Sequence, residues 1–318
     1  MVAGEAILVR THYFDDALQE FCSQLRNGTE REIFVVCDET KSPVTIPNNF
    51  TKISINTEIL DSLGLYTPKN FGWLCGDYCY YIARSVAPSF SSYWLIEGDV
   101  RFKFDDVALF FSHFPSADAV DMLAAGFQKA VPSWLWYESM RSLAPEVYGC
   151  LFPVTRLSGR AVDFLAAERT RLATSFSGLA VDEKGSKAWP NDEAFVATTL
   201  MNSEFVCRDL NAFGATFYDK ETFWVGRPAS HQRIMQKPND NMVYHPVIGG
   251  DRYLQKMKSS FNFQVSSRKS PEYLQGIFNS QMLQDIEMEC GPAKAKEFAA
   301  SCENQIRKLI RIRNENPA

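Results

Sequence analysis

The 318-residue sequence is defined first by what it lacks. No apolar run approaches the ~20 residues that a bilayer-spanning helix needs, and Met1 to Arg10 has neither the basic start nor the apolar stretch of a signal peptide. No long basic stretch occurs, and the net charge is −5, so the electrostatic footprint of a dedicated nucleic-acid binder is missing. The eight cysteines follow no framework spacing, and no second Cys or His pair accompanies Cys75 and Cys79. They read as reduced, mostly buried thiols rather than as a disulfide scaffold or a zinc site. After the first apolar run stands only Arg10-Thr11-His12, not a Gly-rich phosphate loop. Repeats and low-complexity segments are absent too. The expectation is a cytoplasmic globular protein that does not bind nucleic acid.

What is present is a strand–helix alternation. Ala6 to Val9, Ile33 to Cys37 and Tyr93 to Ile96 are short apolar runs of strand length, and Lys52 to Asn56 is expected as a further short strand. Between the first two, Asp15-Asp16 opens a helical pattern that Asn27-Gly28 closes. A helix is expected from Gly72 to Val86, a strand near Cys150 to Val154, and helices over 158–172 and from Asn191 through Met201. Phe176 to Ser186 and Phe223 to Asn241 read as loops, the latter from its Pro, Asn and Gly content. Amphipathic helices are expected around Pro271 to Met288 and Ala293 to Ile312. Strands alternating with helices imply an α/β, Rossmann-like, mostly parallel sheet flanked by helices. Residues 1–250 form its catalytic domain and 251–318 a helical extension packing on it.

In such sheets ligands bind beyond the carboxyl ends of the strands. Two strand ends here are acidic, Asp38-Glu39 and Glu97-Gly98-Asp99. Acidic groups at an anionic ligand's site make chemical sense with a cation between them, and Mg²⁺ or Mn²⁺ takes one or two carboxylates plus phosphate oxygens. A strand closed by an ordinary Asp/Gly turn explains the same residues. Trp189-Pro190-Asn191-Asp192-Glu193 combines a capping Asn with two first-turn acids. Helix-start chemistry accounts for all of them, and a carboxylate there also suits a general base. His12 follows the first strand and His245 precedes Pro246. Arg227, Arg233 and Lys237 lie in the long loop, and Trp134, Trp136, Tyr137 and Trp189 offer either sugar-stacking faces or core. The last helix carries Phe298, Cys302, Ile306, Leu309 and Ile312 on one side, with Arg307, Lys308, Arg311 and Arg313 at its end. That basic end suits either solvent or an anionic membrane.

Trp94-Leu95-Ile96-Glu97-Gly98-Asp99-Val100 resembles the acid-x-acid strand end of GT-A-fold glycosyltransferases, and Gly76-Asp77-Tyr78 resembles part of a helix that precedes it in some of them. Pro190-Asn191-Asp192-Glu193 with Ala197-Thr198-Thr199-Leu200 resembles the acidic helix start of inverting members, the branching N-acetylglucosaminyltransferases above all. The likeness covers about residues 1 to 250. It implies a nucleotide-sugar donor as co-substrate and a glycan or lipid-linked glycan acceptor, as in polysaccharide biosynthesis. It implies a divalent cation held by Asp99, Glu97 and His245. Glu193 becomes the base with Asp192 in support, while Asp38, Asp77, Glu97, His12 and Arg227 serve the donor. A cytosolic enzyme of this kind acting on a lipid-linked glycan would gain from peripheral contact with the inner membrane face through the basic C-terminal helix. A nucleotidyltransferase and a non-catalytic carbohydrate-binding protein are the competing readings.

Overall fold

A computed structural model describes residues 4–176, 189–267 and 269–315, with side chains through residue 312. By contacts the chain forms two compact units, residues 1–100 with 104–218, and residues 101–103 with 219–318.

The first unit is built on seven strands in the order β3-β2-β1-β4-β7-β6-β8. They are β1 (Glu5–Thr11), β2 (Glu32–Asp38), β3 (Thr51–Ile55), β4 (Ser92–Glu97), β6 (Met122–Lys129), β7 (Tyr148–Ser158) and β8 (Cys207–Asp209). Four of the six pairings are parallel, and β7 runs antiparallel to both of its neighbours. Its helices are α1 (Asp16–Gly28), α2 (Thr57–Ser62), α3 (Phe71–Leu74), α4 (Tyr78–Val86), α5 (Ala108–Ser112), α6 (Tyr137–Arg141), α7 (Gly159–Phe176) and α8 (Asp192–Met201). The expected α/β class, a mostly parallel sheet flanked by helices, is therefore what forms. Tyr93, Trp94, Leu95 and Ile96 are fully buried, because neighbouring elements cover both faces of β4. Asp15 caps α1 by accepting from Leu18 N at 2.9 Å, satisfying one of the orphan amides of the first turn.

Three departures matter. The helix expected over 72–86 is broken into α3 and α4, and the break at Cys75-Gly76-Asp77 faces the site described below. Strand β6 falls where no strand was expected, and β7, expected near Cys150 to Val154, runs from Tyr148 to Ser158. The loop expected from Phe176 to Ser186 lies outside the described residues, except for Phe176, which ends α7.

The second unit contains β5 (Arg101–Lys103), antiparallel to β10 (Met242–Tyr244), and β9 (Ala229–Ser230), parallel to β11 (Val247–Ile248). Helices α9 (His231–Gln236), α10 (Gly250–Ser266), α11 (Pro271–Ile277), α12 (Ser280–Cys290) and α13 (Pro292–Glu315) complete it. Its boundary falls at Tyr218–Asp219, not near residue 250. The reason is visible at Glu289 of α12, whose carboxylate accepts from Ser230 Oγ at 2.6 Å, Gln232 N at 2.7 Å and Gly250 N at 2.8 Å. One side chain thus ties the 229–250 segment to the C-terminal helices. The stretch expected as a long loop, Phe223 to Asn241, holds β9 and α9 for the same reason. Phe298, Cys302 and Ile306 of α13 are buried as expected, whereas Ile312 is half exposed. Arg307, Lys308 and Arg311 are exposed. All eight cysteines are free thiols. Among the described residues no helix is long and apolar enough to cross a membrane.

Candidate functional site

From β1 the strand order runs one way to β2 and β3 and the other way to β4, so β1 and β4 flank a topological switch point, where open α/β sheets leave a ligand crevice. At that point Arg10 and Glu97 are register partners. Their side chains pair, Nη1 to Oε1 at 2.7 Å, while Arg10 Nη2 donates to the Gly72 carbonyl. Arg10 Nη1 also stands 3.9 Å from Asp192 Oδ2. Asp38, at the end of β2, uses Oδ1 to accept from Thr40 N at 3.0 Å and lies with Oδ2 against Gly72.

The glycines are spacers for these charges. A Cβ at Gly76 would sit 2.4 Å from both Arg10 Nη1 and Asp192 Oδ2, and a Cβ at Gly72 would sit 2.8 Å from Asp38 Oδ2. Gly98 donates its N–H to Arg10 O at 2.9 Å and is crowded by Leu18 and Tyr13. That close approach keeps Glu97 and Asp99 on one tight turn, with a carboxylate oxygen of each within 4.8 Å of the other. Replacing Gly76 with Ala is expected to push Arg10 and Asp192 apart and lower unfolding free energy by roughly 1–3 kcal/mol, the range for overpacking. Urea unfolding measures it; an unchanged midpoint would mean that the two charges move aside freely.

The second acidic group comes from α8. Asn191 caps it, accepting from Ala194 N at 3.0 Å. Asp192 is buried; Oδ2 accepts from Gly76 N at 2.8 Å and Oδ1 from Glu193 N at 2.8 Å. Burial pushes the Asp192 carboxyl up to about 7, although Arg10 pulls the other way. Burial, with the nearby Asp192 charge adding to it, pushes Glu193 up to about 8 against hydrogen bonds from Asn191 and Trp136. The structure therefore brings Asp38, Glu97 and Asp192, from β2, β4 and α8, around Arg10, a cation that sequence reasoning passed over, with Asp99 beside Glu97 and Glu193 next to Asp192. Arg10 was legible only as an apolar strand ending in a charge at the expected ligand edge.

Other expected residues sit elsewhere. Asp77 is completely buried and turned into the core, where it accepts from Arg169 Nε at 2.7 Å and from Tyr81 Oη at 2.7 Å. Both of its oxygens have partners inside the protein. Arg169 in turn donates to Pro190 O at 2.8 Å and lies over the Phe195 ring at 3.8 Å. The pair thus fixes the chain that enters α8. Trp189 is core as well, packed on Tyr66 and Phe176. His12 is exposed, its ring edge-on to Tyr13.

Arg227 and His245 belong to the second unit. Arg227 is exposed, and its charge favours ionisation of the Tyr253 hydroxyl, against the burial that pushes that group up. His245 is buried, with Nδ1 3.0 Å from Trp224 O. A carbonyl only accepts, so Nδ1 carries the proton and Nε2 holds the lone pair in the neutral ring. Arg233 pairs with Asp285, and Lys237 lies over the Tyr244 ring.

No family model and no curated protein matches this chain. Among solved structures, those it is similar to include glycosyltransferases. One is the apo form of mouse xyloside xylosyltransferase 1, 10% identical, covering 66% of this chain and 85% of that one at a TM-score of 0.37. Another is the galactosyltransferase LgtC in complex with donor and acceptor sugar analogues, 9% identical, covering 64% of this chain and 72% of that one at a TM-score of 0.38.

Proposed function

We propose that this chain is a glycosyltransferase that moves a sugar, with inversion, from a nucleotide-sugar donor to a hydroxyl of a glycan or glycoconjugate. The observation that carries the reading is the gathering of two carboxylate sets, Glu97 with Asp99 and Asp192 with Glu193, around Arg10 at the switch point. Sugar transfer builds negative charge on the departing diphosphate and requires a proton to leave the acceptor hydroxyl. Arg10 supplies positive charge on the donor side, beside Asp38 at the nucleoside end. Glu193 takes the acceptor proton, since a base with a pKa near the working pH combines availability with driving force. Asp192 is a positioning residue: it ties the start of α8 to Gly76 and holds the Glu193 amide.

The oxygen donors of Asp99 and Glu97 fit a hard divalent cation, Mn²⁺ or Mg²⁺, whose two-ligand span is about 4 Å. Glu97 Oε1 also accepts from Arg10 at 2.7 Å. When bound, such an ion neutralises charge on the leaving diphosphate. His245 as a further ligand follows from the sequence resemblance and is tested by substitution. A lipid-linked glycan acceptor at the inner membrane face would suit the exposed Arg307, Lys308 and Arg311 of α13.

The test is a thermal-shift screen with UDP-, GDP- and CMP-sugars, with and without Mn²⁺, since a ligand of the native state raises its apparent stability. One nucleotide class is expected to raise Tm, with a Mn²⁺-dependent part that Asp99→Asn removes and His245→Ala diminishes. If no nucleotide sugar changes Tm under either condition, the transfer reading is wrong.

A further inference from the structure

Helix α3 presents opposite chemistry on adjacent residues. Gly72 gives its carbonyl to Arg10, whereas the next residue, Trp73, turns its indole to solvent and is 59% exposed. A four-residue helix buries Phe71 and Leu74 as its anchors, so the exposure of Trp73 is held, not left to a swinging loop. The Trp73 ring meets Trp136 edge-on, with centroids 4.9 Å apart. Trp136 is itself buried and precedes α6, which packs on α8. Glu193 stands in the first turn of α8.

The segment that carries Trp136 is equally fixed. The Trp134 ring lies flat over Gly149, where a Cβ would come within 2.7 Å of it. Between these planted rings Leu135 points outward, 67% exposed. Trp73 therefore meets Trp136, Leu135 precedes Trp136 in the chain, and the helix that follows Trp136 packs on the helix that bears Glu193. Large exposed apolar groups beside a carboxylate are not explained by packing, because burying them would gain ~1.5–3 kcal/mol each. An aromatic face next to a hydrogen-bonding carboxylate matches a pyranose ring, which offers one face of C–H groups and an edge of hydroxyls.

Resting on the transfer reading, we propose that Trp73, backed by Trp136, is the acceptor subsite, stacking the apolar face of a pyranose ring whose hydroxyl then points at Glu193. The acceptor is accordingly a glycoside, recognised through its terminal sugar ring. Trp73 acts on binding alone. Its indole meets Trp136 and solvent, so its loss is expected to leave nucleotide binding in place.

The experiment is saturation-transfer NMR on the full chain with a panel of methyl β-pyranosides (glucose, galactose, xylose and N-acetylglucosamine) in the presence of UDP and Mn²⁺. At least one glycoside is expected to bind the wild type, about tenfold more weakly to Trp73→Ala and within about threefold to Trp73→Phe, which keeps a ring face. The UDP thermal shift of all three proteins should be equal, showing that the variants are folded. Equal glycoside binding by wild type and Trp73→Ala overturns the proposal, and so does the absence of any glycoside binding while UDP binds. A wild-type dimer that Trp73→Ala converts to monomer would make the patch a contact between copies, and also overturns it. Trp73-dependent glycoside binding without any nucleotide binding keeps the subsite and removes the transfer reading, so the two fail separately.

Discussion

Glu193→Gln is expected to bind the nucleotide sugar as the wild type does and to turn over about 10²–10⁴ times more slowly, the loss typical when a positioned general base is removed. Gln keeps the shape of the side chain and an acceptor oxygen for Asn191 and Trp136, but cannot take a proton. The pH profile adds a second test. Burial is the main reason Glu193 stands near 8, so kcat/KM of the wild type should climb with pH and level off near that value. In the Gln variant this rise should vanish. Stability should move the opposite way. A carboxyl whose folded pKa lies above its unfolded value of about 4.3 contributes fully below that value, and the contribution is lost as pH rises towards about 8. The wild type should therefore lose stability over that interval, and Glu193→Gln should lose less. Stopped assays with saturating donor would read the rate; near-normal turnover in the variant would remove Glu193 from the mechanism.

Arg169→Met is expected to destabilise the fold by about 3–5 kcal/mol, the range for leaving a buried charge without its partner. Arg169 and Asp77 are both fully enclosed, so no water replaces the lost contact. The Pro190 carbonyl also loses its donor and the Phe195 ring its cation. The double variant Arg169→Met with Asp77→Leu should recover much of the loss, because it removes the orphaned carboxylate. Urea unfolding of both proteins measures this. If Asp77→Asn alone abolished nucleotide binding while leaving unfolding unchanged, Asp77 would be a ligand contact and not a strut.

The spread of raised carboxyl pKa values follows from the same architecture. Asp192 is held between the Gly76 amide and its own helix start, and dry surroundings outweigh the pull of Arg10. Protonated carboxyls near neutrality are costly to leave idle in a fold, and they occur where a reaction uses them more often than elsewhere. The raised Glu193 carboxyl thus supports its proposed role independently of the motif in which it sits.

The sequence by itself determined the local pieces. Asn191 was legible as a helix cap because capping is a contact across three residues, and Asp15-Asp16 as the acidic opening of a helix, which Asp15 turns out to cap. Strands β1, β2 and β4 were legible because a buried parallel strand is apolar on both faces. The acids at the ends of β2 and β4, and at the start of α8, could be read as candidates for the same edge. Tertiary structure alone decided which charges meet. Arg10 reaches Glu97 across 87 residues, Gly76 reaches Asp192 across 116, and Asp77 reaches Arg169 across 92. No local pattern encodes such pairings, because they arise when helices and strands close around a common core. The same closure broke the helix at Gly76 to admit Arg10, turned Asp77 inward, and set β7 antiparallel between β4 and β6. Burial, a property of the whole fold, is what raises Glu193 from an ordinary helix-start acid to a group that titrates near neutrality.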